Sequence, residues 1–203
     1  MAVRVAIAAV IAVLVGAAFL LVRGGADVHQ DGAGSLGSVG APGYESLAVD
    51  PASGARSWTY GLRLCVMDPA SPATIESVGP HASVGTGYSL LGVRIRSFGL
   101  TEDHPNIIGV EGYPPPTKDV PDPLTDAVGF TVTSLCADGP GKPYTELLVG
   151  LGYATSDGGG WRGIDIGYTS GGRHHVVQLD HDLLVCGSSV AAQCTESTSP
   201  SPT

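Results

Sequence analysis

Between Trp58 and Cys186, segment after segment of the chain alternates apolar and polar residues, and this period of two limits it more than any other feature. In "WTYGLRLCVM", Trp58, Tyr60, Leu62, Leu64 and Val66 fall on one side and Thr59, Arg63 and Cys65 on the other. Such alternation fits a strand with one buried face and does not fit a helix, whose apolar positions recur every three to four residues. "SLLGVRIRSF" repeats the pattern with Leu91, Val93 and Ile95 against Arg94 and Arg96. "AVGFTVTSL", "YTELLVGLGY" and "WRGIDIGY" follow, with shorter candidates at Thr74–Val78 and Asn106–Gly112. Turn-forming clusters punctuate them: "DPASPA", "GPHASVGTG", "YPPPTKDVPDP", "ADGPGKP", "SDGGG" and "TSGG". Gly159–Gly160 and Gly171–Gly172 read as hairpin turns, and the last three strands as a meander. The 30 glycines and 15 prolines suit many short strands and turns better than long helices. About seven or eight strands without a helix between them predict an all-β domain over 57–194, an antiparallel β-sandwich that is immunoglobulin-like in the loose sense. A small barrel is the second choice.

The N-terminus obeys a different rule. "VAIAAVIAVLVGAAFLLV", Val5 to Val22, is unbroken by charge and bracketed by Arg4 and Arg23. At 1.5 Å per residue a helix there spans roughly 27 Å, the thickness of a bilayer's hydrocarbon. It exceeds the usual apolar core of a cleaved signal peptide. Residues 1–23 are therefore expected to be an uncleaved transmembrane anchor that holds the chain to a membrane. Residues 24–56, rich in Gly, Ser, Ala and Asp, read as a flexible spacer, and 195–203, "TESTSPSPT", as a disordered tail.

All four cysteines, Cys65, Cys136, Cys186 and Cys194, follow the apolar run. An even count in a Gly-rich domain points to two disulfides and an oxidising compartment. The expected topology is N-terminus cytoplasmic, β domain extracytoplasmic. Cys65–Cys186 with Cys136–Cys194 is the favoured pairing, on the premise that the first and last strands are neighbours. Cys65–Cys136 with Cys186–Cys194 is the rival. A net charge of −9 argues against nucleic acid, whose phosphates need basic partners.

The densest run of chemically able residues is "RHHVVQLDHDLLVC". On a strand its period separates them. His175 and His181 join Val177, Leu179, Leu183 and Val185 on one face, and His174, Asp180 and Asp182 take the other. No metal centre is expected, although a metal- or ligand-binding envelope protein using His174, His175 and His181 is the first alternative. Glu76, Glu111, Glu146 and Asp165 sit on strands as solvated acids. No Ser lies in a nucleophile elbow and no phosphate-binding loop is present, so neither a catalytic set nor a cofactor is expected. A hydrolase without a motif is the remaining alternative. Two features suggest contact with a partner, an envelope protein or cell-wall component: the stiff Tyr113, Pro114, Pro115, Pro116 segment and Trp161, which the alternation places opposite Ile164 and Ile166.

The blocks "YGLRLCV", "YTELLVGLG", "GGGWRGIDIGY" and "LDHDLLVCG", behind an anchor and a Gly-rich spacer, resemble a small single-pass exported protein of actinobacteria. The resemblance implies an extracytoplasmic β domain and supplies no active-site residue.

Overall fold

The computed structural model describes residues 34–39, 43–47, 56–99, 109–138, 142–153 and 156–196. The expected anchor, the first part of the spacer and nearly all of the tail lie outside them. Among the described residues no helix is long and apolar enough to cross a membrane.

The described residues form twelve strands and one short helix: β1 (Leu36–Ser38), β2 (Gly43–Leu47), β3 (Ser57–Val66), β4 (Ala73–Gly85), β5 (Tyr88–Gly99), β6 (Gly109–Glu111), β7 (Thr125–Asp126), β8 (Thr131–Val132), β9 (Pro143–Tyr153), β10 (Gly159–Ser170), β11 (Arg173–Leu179), β12 (His181–Val185) and α1 (Ala191–Glu196). They make two six-stranded sheets. The first runs β1-β3-β9-β5-β7, with β6 also on β3, and the second runs β2-β12-β10-β4-β8, with β11 also on β10. Pairing is antiparallel except between β2 and β12.

One apolar core joins the sheets. Tyr60, Leu62, Leu64 and Val66 of β3 and Leu147, Val149 and Leu151 of β9 pack in one cluster with Ile164, Ile166 and Tyr168 of β10 and Val177 and Leu179 of β11. These are the alternate residues of each strand, as the period requires, and each such side chain contributes about 1.5–3 kcal/mol by leaving water.

Several sequence expectations shift. The segment read as spacer supplies β1 and β2. Leu36 sits in the core, its N–H meets Tyr168 Oη at 3.4 Å, and Ser35 Oγ bonds Ser170 Oγ at 3.0 Å. A strand added through its backbone needs little from composition. "GPHASVGTG", read as a turn, continues β4 to Gly85. Pro80 is tolerated there because β8 pairs with β4 only at Ala73 and Thr74 and leaves that edge without a strand partner among the described residues. "AVGFTVTSL" forms only the two-residue β8.

The expected meander is also replaced. The turn at Gly171–Gly172 does form, with both glycines at positive φ (57° and 73°) as the tightest hairpin turns demand. But β12 does not add beyond β11. Both pair in succession along the same edge of β10. Between the pairs Ile164↔Leu179 and Trp161↔Leu183, β10 has two residues and its partner three. The mismatch is a bulge whose extra residue lies in the partner segment Asp180–Asp182, and opposite it stands Gly163, whose φ of +67° suits glycine and whose N–H Asp182 Oδ1 accepts at 3.0 Å.

That bulge reverses the alternation of β10. Trp161 therefore shares the inward face with Ile164 and Ile166 and is only 1% exposed. Its expected role as a surface contact is corrected: it is a core residue, packed against Tyr88 with ring centroids 5.9 Å apart.

Candidate functional site

The outward faces of the two sheets differ. On the first sheet, Arg96, Glu146 and Leu148 point away from the core, yet all are buried. Their cover is the segment read as a docking element. Tyr113 lies over Gly150, where an added Cβ would stand 2.3 Å from the ring. Pro115 is buried, Pro116 half-buried and Pro114 exposed. Val120 packs on Leu148. The Tyr113–Pro116 run is thus largely committed to its own sheet, and its phenol is pushed above the usual tyrosine range, chiefly by burial.

Beneath this cover sits an ion triad. Arg96 Nε donates to Glu146 at 2.5 Å and Nη1 to Asp122 at 2.9 Å. The guanidinium lies 4.0 Å from the Phe98 ring centroid. Glu146, expected as a solvated acid, has a fully buried side chain.

On the second sheet the cover is partial. Cys186 and Cys194 are joined, and Leu184, Val190 and Cys194 form a small cluster that shields β12. The rest of the outer face, on β4, β10 and β11, is open. His174 Nδ1 lies 2.9 Å from Glu76, which also accepts from the Thr169 hydroxyl. His81 Nδ1 lies 3.0 Å from Asp165. The Thr169 hydrogen bond, then that of His174, holds the Glu76 carboxyl below its ordinary range.

The three histidines of "RHHVVQLDHD" go to three places. His174 joins Glu76 outside, His175 stacks on Tyr168 at 5.3 Å, and His181 turns inward against Tyr60 at 6.4 Å. Burial lowers the His181 pKa, against the opposing pull of Asp180 and Asp182, and its buried Nδ1 has no hydrogen-bond partner among the described residues. Among the described residues no group of three His, Cys, Asp or Glu is placed to share a metal ion.

The cysteines pair as the rival scheme has it. Cys65 bonds Cys136 and Cys186 bonds Cys194, and the favoured pairing is corrected. β3 and β12 belong to different sheets, so Cys65 and Cys186 are not neighbours. The segment after β8 instead runs beside the end of β3, where Cys136 N–H donates to Val66 O at 3.0 Å and brings the thiols together.

The segment that carries Cys136 also lines a recess that the sequence reading did not find. It measures about 160 Å³. Ser97 and Thr145, paired across β5 and β9, form one wall. Thr133, Ser134 and Asp138 form another, and Phe130 and Pro143 supply apolar surface. Asp138 is fixed in place: Oδ2 accepts from Leu135 N–H at 3.0 Å, and its own N–H donates to Leu135 O at 3.0 Å. The only sequence signal was the hydroxyl-dense run "TVTS" just before "CAD". The recess is smaller than the ~300–1,000 Å³ of drug-sized sites and suits one terminal group of a ligand. No family model, curated protein or solved structure matches this chain.

Proposed function

We propose that the chain is a membrane-tethered, extracytoplasmic β-sandwich that serves as a binding or structural module of the cell envelope rather than as a catalyst. The observation that carries this reading is that all four cysteines close into two disulfides. Such bonds persist in oxidising compartments and are rare in the cytosol. The apolar run Val5–Val22 precedes every cysteine and supplies a route for export and a tether. The resemblance to small exported actinobacterial proteins points the same way. Among the described residues, the open outer face of β4, β10 and β11 and the hydroxyl-lined recess offer surface to an envelope protein or cell-wall component.

Protease added to whole cells or spheroplasts tests the reading. The β domain should be cut, and the intact protein should otherwise sediment with membranes. A domain protected until the membrane is dissolved would reverse the topology, and a soluble intact chain would remove the anchor.

A further inference from the structure

We propose that the outer edge of β11 is a self-association site, where a second copy of this chain adds its own β11 antiparallel and joins the second sheets of two molecules into one. The β10–β11 hairpin decides which backbone groups are on offer. The two-residue turn at Gly171–Gly172 makes its flanking residues, Ser170 and Arg173, a hydrogen-bonded pair. Such pairs recur at every second residue, so Arg173, His175, Val177 and Leu179 turn their N–H and C=O groups to β10. His174, Val176 and Gln178 turn theirs the other way. Among the described residues no strand or loop backbone meets them there.

The other long edges are spoiled for such pairing. β4 carries Pro80 and a register shift beside Glu76. β5 is bulged between Leu90 and Gly92 and already holds β7 at Arg94 and Ile95. β11 is regular over all 7 residues, with no proline, lysine or bulge, the devices that keep sheet edges apart.

Its side chains fit a copy of the same strand. Val176 is 56% exposed on the outer face. With a two-fold axis at Val176, this residue pairs with Val176 of the copy, His174 pairs with the copy's Gln178, and Gln178 with the copy's His174. Every outward N–H and C=O of the three residues then has a partner. The strand begins basic, at Arg173 and His174, and is followed by the acidic Asp180. Antiparallel pairing lays each basic end beside the acidic end of the copy, and His174, with Nδ1 on Glu76, comes diagonal to the copy's Asp180. A strand of other sequence gains neither the apolar pair nor the charge match. A two-fold contact of this kind closes on itself and stops at two copies. One short strand buries less than the ~1,200–2,000 Å² of stable complexes, so dilute protein should be monomeric. The site does not depend on which compartment the domain occupies.

The test uses the full chain with both disulfides intact, in excess detergent. Amide hydrogen exchange is followed residue by residue at about 10 μM and about 1 mM protein, the range that a small interface demands. The amides of His174, Val176 and Gln178 should exchange severalfold more slowly in the concentrated sample. Those of His175 and Val177, bonded to β10, should show no such change. Val176→Pro removes one edge N–H, leaves the β10 ladder whole and should abolish the concentration dependence with an unchanged melting temperature. If that variant melts early, Val176→Lys takes its place and should do the same. Val176→Cys tests the register, because the axis sets the two Cα atoms about 5.5 Å apart, within disulfide reach. Mild oxidation should give a covalent dimer, whereas Val128→Cys, at a position also 56% exposed, should give little. Exchange at His174, Val176 and Gln178 that ignores concentration would overturn the proposal: fast exchange means that nothing pairs there, and slow exchange means that the chain covers its own edge. Equal cross-linking of the two cysteine variants would overturn it too. Any of these failures leaves the envelope location standing, since that rests on the protease experiment.

Discussion

The two outer faces of this molecule carry the same kind of chemistry under opposite conditions. On the first sheet Arg96, Glu146 and Asp122 are sealed beneath the proline-rich segment, with side-chain exposures of 0%, 0% and 11%. On the second, His174–Glu76 and His81–Asp165 stand in solvent, with the histidines 83% and 46% exposed. In a dry setting, removing one partner strands a charge that water cannot reach, at a cost of about 3–5 kcal/mol. In water the same pair contributes about 0–1 kcal/mol. Distance does not separate the two cases, since both lie within hydrogen-bond reach; cover does. The first face is spent on holding the fold together, and the second is free to change.

The sharpest way to break this comparison is Glu146→Ala, which should lower the unfolding free energy by about 3–5 kcal/mol, measured by denaturant titration. A loss under about 1 kcal/mol would mean that Asp122 alone compensates Arg96 or that water reaches it, and the contrast between the faces would fail.

The disulfides come next. Cys65–Cys136 closes a span of 71 residues and Cys186–Cys194 one of 8. On loop-closure entropy their removal should cost about 4 and about 2.5 kcal/mol. Paired Cys→Ser variants should keep that order, and the reverse order would show that the short bridge, which ties the C-terminal segment over β12, is the stronger clamp.

His181→Ala should cost about 1–2 kcal/mol, because the ring fills space between Tyr60 and the apolar side of β12. The same residue gives a pH dependence. Its folded pKa is below the unfolded value, so the unfolded chain binds the extra proton. The stability it contributes is complete above about pH 6.5 and is lost as pH falls through the folded value. Denaturant midpoints measured from pH 7.5 to 5 should decline in the native chain and decline less in His181→Ala.

The smallest effect belongs to the open face: Asp165→Ala should change stability by less than about 0.5 kcal/mol, and His174→Ala should leave the melting temperature where it was. A large loss at either position would erase the distinction between the faces.

What the sequence could disclose follows the range of each signal. The period of two located β3, β5, β9, β10 and β11, because burying one face of a strand writes itself into neighbouring residues. It also placed His174 and His181 on opposite faces. Trp161 went astray because a single bulge opposite Gly163 inverts the parity, and a glycine in a strand does not announce its φ. β1 and β2 escaped notice because backbone pairing with β3 and β12 leaves no apolar pattern in a Gly-rich stretch. Arg96 looked like a solvent-facing residue until a segment nearly twenty positions later folded over it. The cysteine pairing depended on which sheet each strand joined. The recess was the least legible, since Ser97, Phe130, Asp138 and Thr145 come from separate parts of the chain and share no spacing.

The central claim, a tethered and oxidised envelope module, is met most directly by the intact mass of the protein taken from the membrane fraction and alkylated with N-ethylmaleimide with and without prior reduction. The account predicts a chain that retains Val5–Val22, with no thiol labelled before reduction and four after it. A mature chain beginning near Asp27, or four labelled thiols without reduction, would contradict it.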